Sequence, residues 1–176
     1  VMEVTPYVVA DEKSVFCVRQ GVVTLESAAV LEVYRAGRDR FALDLPPGFV
    51  VRSLAVEGEE VTHVQRGDRA ELTFGAPRTG KFVIRLKAEL TTGTGDERQN
   101  LVVQPLGFPD ANRASGLVGL AQAEGTVVTF EEVQGLERAD AGDIGAAPTG
   151  DRLLRVYRRL PGVGRIPVSY THLRAH

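Results

Sequence analysis

The chain contains no tryptophan and one cysteine, and aromatic residues make up only 6% of its 176 residues. With Cys17 alone, no disulfide can close within the chain and no cysteine-built zinc site can form. Without tryptophan, and with four tyrosines, there are few flat platforms on which sugars or bases could stack. No apolar run approaches the roughly 20 residues that a membrane-crossing helix needs, so no membrane insertion is expected within this stretch. Neither sign of charge dominates: 21 basic and 23 acidic residues are interleaved to a net charge of −2. That balance leaves no electrostatic footprint for nucleic acid.

The two ends are read apart from the rest. The chain begins at Val1 with no initiator methionine, and Val1 to Pro6 reads as the middle of a strand, so an upstream part is expected. Residues 169–176, Ser-Tyr-Thr-His-Leu-Arg-Ala-His, resemble a translated sequencing-adapter tail and are set aside from fold reasoning. His63 is then the sole histidine, and a histidine-based triad or a two-histidine metal site is expected to need residues outside this stretch. It alternates with Val61 and Gln65 and reads as one side chain on a sheet.

Strands are what the sequence supplies. Glycines at 37, 48, 58, 67, 80 and 93 punctuate the first half about every ten residues, the rhythm of short strands and turns. Between them lie β-forming runs over residues 22–34, 40–45, 49–57, 61–65, 69–74 and 81–90. The clearest alternation sets Phe82, Ile84, Leu86, Ala88 and Leu90 on one face and Val83, Arg85, Lys87 and Glu89 on the other. Phe41, Leu43 and Leu45 repeat it until Pro46-Pro47-Gly48 ends the strand. A polar loop over 91–100 precedes a short strand at 101–104. Beyond Pro105 further strands are expected at 115–121, 126–132 and 152–158, with a Gly/Ala/Asp-rich stretch over 139–150. That later part either begins a second module or extends the first sheet.

Several motifs invite a chemical reading. Gly75-Ala76-Pro77-Arg78-Thr79-Gly80-Lys81-Phe82 fits the phosphate-loop spacing, but Phe82 stands where Ser or Thr must reach magnesium and opens a strand, not a helix. It is expected to be an inter-strand turn. Gly93-Thr94-Gly95 and Gly162-Val163-Gly164 lack the third glycine of a dinucleotide fingerprint, with Arg98 and Pro167 in its place, and are expected to be turns. Neither Glu59-Glu60 nor Glu131-Glu132 converges as an acid/base pair, because adjacent strand residues face opposite ways. Asp140 and Asp143, with Asp151 nearby, offer oxygens to calcium, though not at EF-hand spacing. Arg35, Arg38 and Arg40 around Gly37, with Asp39 among them, read as a charged hairpin tip. Cys17 reads as a small core residue on a strand.

At Phe41-Ala42-Leu43-Asp44-Leu45-Pro46-Pro47-Gly48-Phe49-Val50-Val51-Arg52-Ser53-Leu54-Ala55-Val56-Glu57-Gly58 the chain resembles β-sandwich segments of large, mostly uncharacterised bacterial envelope proteins. The likeness runs loosely over residues 15–160, including residues 113–119 and 136–140. It implies a periplasmic or surface location and a scaffold or interaction role, and brings no catalytic residue with it.

The expectation is therefore an all-β chain: an antiparallel β-sandwich, immunoglobulin-like or related, over residues 1–104, a β-rich extension or incomplete second module over 105–168, and a non-native tail over 169–176. Its expected role is non-catalytic structural or protein-interaction work, with other modules of the same chain or envelope proteins as partners. A carbohydrate-binding module and an accessory domain of a hydrolase are the alternatives. No catalytic residue, metal ligand or cofactor site is assigned.

Overall fold

The computed structural model describes residues 4–93, 95, 97–145 and 151–172. Along the chain run β1 (Tyr7–Arg19), β2 (Val22–Asp44), β3 (Val50–Val56), β4 (Glu59–Glu60), β5 (Thr62–Arg66) and β6 (Arg69–Thr91). They are followed by β7 (Gln99–Val103), β8 (Arg113–Gln122), β9 (Thr126–Phe130), β10 (Leu136–Ala139), β11 (Arg152–Arg159) and β12 (Ile166–His172). A main sheet runs in the order β10-β11-β8-β1-β2-β6-β3-β4, with β5 also paired to β6, and a second sheet runs β7-β12-β9. Among the described residues no helix is long and apolar enough to cross a membrane.

The all-β expectation holds, and the period-two pattern explains why. In β2, Val23, Leu25, Ala29, Leu31 and Val33 point inward, and in β6 Phe82, Ile84, Leu86 and Ala88 do the same. Side chains from both sheets meet in one core, where Phe16 and Leu25 touch the same cluster as Ile166 and Val168. Full burial of each large apolar side chain contributes about 1.5–3 kcal/mol. Phe16 and Phe49 meet edge to face at 5.6 Å, and Phe41, Phe74 and Phe82 form a second aromatic cluster with centroids 5.5–5.8 Å apart.

The strand boundaries differ from the sequence expectation in an informative way. Residues 22–34 and 40–44 belong to one 23-residue strand, β2, and residues 69–74 and 81–90 belong to another, β6. The two pair antiparallel from end to end, with register shifts between Val33, Arg38 and Arg40. Gly75 to Gly80 is thus a bulged stretch inside β6, not an inter-strand turn, and Arg35, Arg38 and Arg40 lie within β2, not at a hairpin tip. Gly37 is there for close approach: a Cβ on it would lie 2.7 Å from Cβ of Pro77 on the facing strand.

β1 pairs antiparallel with β2 on one side and parallel with β8 on the other, so the main sheet is mixed, not purely antiparallel. β8, β11 and β10 extend the first sheet beyond β1, and a bridge between Asp44 and Gly107 ties the connecting loop to β2. Residues 169–176 were set aside in the sequence reading as resembling a non-native tail. Ser169 to His172 instead continue β12, the middle strand of the second sheet, with Ser169, Tyr170 and His172 buried; the last four residues lie outside those described. At the other end Val4 to Pro6 precede β1 and are not in a strand, and the first three residues lie outside those described.

Candidate functional site

Most residues that the sequence offers for chemistry are scattered, each engaged locally. Nδ1 of His63, on β5, lies 3.2 Å from the Val61 carbonyl oxygen. Glu59 and Glu60 are exposed on the edge strand β4, and Glu131 and Glu132 are exposed just beyond β9. Asp140 caps a 3-10 turn over Ala141–Asp143 by accepting from the Gly142 amide at 2.9 Å, while Asp143 faces Arg158 at 3.8 Å. Asp151 serves Arg19 and the Cys17 thiol. Three neighbours in sequence are thereby turned to three tasks, and among the described residues no group of three or more His, Cys, Asp or Glu is placed to hold a metal ion. The arginine cluster is dispersed in the same way: Arg38 pairs with Asp110 at 2.5 Å, and Arg35 lies over the Tyr7 ring at 5.1 Å. Gly162 adopts φ +103 in the turn between β11 and β12. Of Gly93-Thr94-Gly95, Thr94 lies outside the described residues.

Two constellations are assembled by the fold and were not singled out from the sequence. The first is buried. On β1 the inward register reads Val8, Ala10, Glu12, Ser14, Phe16, Val18, so a carboxylate and a hydroxyl enter a face that is otherwise apolar. Glu12 is fully buried. The Ser14 hydroxyl lies 2.6 Å from Glu12 Oε2 and 2.8 Å from the Ser27 hydroxyl on β2. The Leu106 amide donates to the same carboxylate at 3.3 Å, and Arg159 of β11 donates to Glu12 Oε1 at 2.6 Å and to the Leu106 carbonyl. Burial pushes the Glu12 carboxyl above its ordinary value, opposed by the Ser14 hydrogen bond and the Arg159 charge. With Glu12 fully buried and its oxygens engaged by Ser14, Leu106 and Arg159, the group serves as a polar clasp in the core. The legible signal was a glutamate in the apolar register of an alternating strand.

The second constellation is open. On the outward face of the main sheet a groove of about 360 Å³ crosses β1, β2, β6 and β3. Strand register sets Lys13 opposite Ala28, Ala28 opposite Arg85, and Arg85 opposite Ala55, so one row alternates long cations with small side chains. The next row holds Val15, Glu26, Lys87 and Ser53, and here Lys87 faces Glu26 at 3.8 Å. Ile144, following the 3-10 turn, also lines the groove.

No protein-family model and no curated protein sequence matches the chain. Solved structures do. The chain is similar to an M1 zinc metallopeptidase from Deinococcus radiodurans, at 18% identity and a TM-score of 0.55, over 92% of this chain and 42% of the peptidase. A two-domain M1 zinc metallopeptidase, as its E323A mutant bound to L-arginine, matches at 19% identity and a TM-score of 0.55 over the same shares. Yeast LTA4 hydrolase in complex with bestatin matches at 14% identity and a TM-score of 0.52, over 97% of this chain and 29% of that one. The chain spans less than half the length of these enzymes, and what it has in common with them is the fold of one all-β part.

Proposed function

We propose that this chain is a non-catalytic β-domain of a larger hydrolase of the peptidase class, joined to a catalytic domain encoded elsewhere in the same protein. The observation that carries the reading is coverage: nearly the whole chain, 92%, superposes on 42% of a two-domain zinc metallopeptidase, about one domain's share. Zinc chemistry does not fit the residues present. A catalytic zinc takes three protein ligands, commonly histidines and a carboxylate, and the described residues offer no such group. Among the described residues Glu12 is the one fully buried carboxylate, and it is engaged by Ser14, Leu106 and Arg159. The domain's own work is then to present a rigid sheet surface to its neighbours, which keeps the interaction role read from the sequence and gives it a hydrolase as its setting.

The test is to obtain the gene with its flanking sequence and assay its product beside this chain, using the tripeptide Tyr-Ser-Ala that one of the similar peptidases binds as substrate. The full product is expected to carry a His-Glu-x-x-His helix and to cleave the peptide in a chelator-sensitive manner, while this chain alone does not. A full product with neither the zinc motif nor cleavage overturns the proposal.

A further inference from the structure

The groove on the outward sheet face has a charge pattern that core packing does not account for. The chain has only three lysines, and two of them, Lys13 and Lys87, line this groove. Arginine does most of the structural pairing elsewhere: Arg19, Arg38, Arg52, Arg69 and Arg159 each hold a carboxylate. Arg85 in the groove holds none, and neither does Lys13, among the described residues; only Lys87 is matched, by Glu26. Two uncompensated cations thus stand two strands apart, about 10 Å at ordinary strand spacing, on a protein whose net charge is negative.

The groove floor around them is lined by small side chains. Ala28 and Ala55 flank Arg85 in the row, with Ser53 beside them in the next. Small residues leave the depth into which another backbone can settle, and the apolar edge made by Val15 and Ile144 gives a ligand something to pack against. An extended peptide places same-face side chains about 7 Å apart, a spacing that flexible Lys and Arg side chains about 10 Å apart can reach.

We infer that this groove binds an acidic, extended peptide segment of a protein partner, with Lys13 and Arg85 each taking one carboxylate and the small Ala28 between them and Ala55 beyond Arg85 admitting its backbone. Nucleic acid and anionic membranes fit less well. Two unpaired cations are a small electrostatic footprint, and Glu26 within the same groove repels a continuous sheet or string of negative charge. The inference does not rest on the hydrolase reading and is tested on the chain as it stands.

The probe is a fluorescein-labelled peptide of alternating Glu and Ala, about ten residues long so that it spans the four strands, followed by anisotropy at low and high salt. The full chain is expected to bind it, and to bind it more weakly as salt rises. Lys13→Gln with Arg85→Gln should weaken binding by about tenfold, while Lys81→Gln, outside the groove on the same strand as Arg85, leaves it unchanged. Ala28→Glu, which fills the floor and adds like charge, should abolish binding; urea unfolding checks that each variant is folded. Equal binding by the double variant and the parent overturns the inference, and so does no measurable binding by the parent. Displacement of the peptide by inorganic phosphate at equal charge concentration, or equal affinity for phosphatidylglycerol vesicles, also overturns it, by showing a general anion surface.

Discussion

Glu12 and Arg159 lie 147 residues apart in sequence and meet at 2.6 Å inside the core. Arg159 is 14% exposed at its side chain and Glu12 not at all, so the pair is sheltered from water on the carboxylate side. Around it Ser14, Ser27 and Leu106 complete the hydrogen bonding, which joins β1, β2, β11 and the loop after β7 at one point.

Removing one partner leaves a buried charge without compensation. Arg159→Met is expected to destabilise the fold by about 3–5 kcal/mol at neutral pH, whereas Glu12→Gln with Arg159→Met recovers much of the loss, because no charge remains to be solvated. Urea unfolding of the two single variants and the double variant measures the coupling. Strict additivity would show that the pair makes no cooperative contribution.

The same carboxylate gives stability a definite slope with pH. Burial raises the folded-state value of Glu12 above the ordinary 4.5, so the folded chain holds this proton more tightly than the unfolded chain does. The associated stability is fully present below 4.5 and is lost as pH rises through the folded value. Relative to Glu12→Gln, the parent is therefore expected to lose stability on raising the pH from the acid side, seen as a falling difference in unfolding midpoint. A difference that rises with pH would reverse the assignment and make Arg159 the stronger influence.

Gly116 faces Glu12 across the parallel β1–β8 pair with φ +145. A Cβ there would come within 2.6 Å of the Glu12 Cγ. Gly116→Ala is expected to cost about 3 kcal/mol or more, through backbone strain and overpacking together. Gly58→Ala is the contrast: φ is +84 but nothing lies within 4 Å of the added methyl, so about 1 kcal/mol is expected. Equal losses in thermal unfolding would show that the close approach to Glu12 is unimportant.

Cys17 is buried and its thiol hydrogen-bonds Asp151 at 3.0 Å. Burial first, then that carboxylate, pushes its pKa up to about 12. At pH 8 the folded chain is expected to resist a disulfide reagent and to react at the rate at which it unfolds, as for an inert core thiol. Rapid stoichiometric labelling under native conditions would contradict this. The raised value also means that alkali destabilises the fold as pH rises through the range from 9.0 to about 12.

What the sequence determined by itself is the direction in which side chains point. Phe82, Ile84, Leu86 and Ala88 alternate as strand residues must, and all four are buried; Phe41, Leu43 and Leu45 follow the same rule. That local period was enough for an all-β chain with one strongly apolar face per strand. Glu12 and Ser14 also fall in the inward register of β1, but their place in a buried network came from the structure and not from the sequence. What only the tertiary structure decided is which strand lies beside which. The parallel placement of β8 against β1, the merging of four expected strands into β2 and β6, the seating of Ser169 to His172 in β12, and the row Lys13–Ala28–Arg85–Ala55 all depend on register between distant segments. Alternation fixes the face a residue takes because each strand's pleat is local; neighbours are chosen by the burial of both faces at once, a sum over the whole chain that no short window of sequence contains.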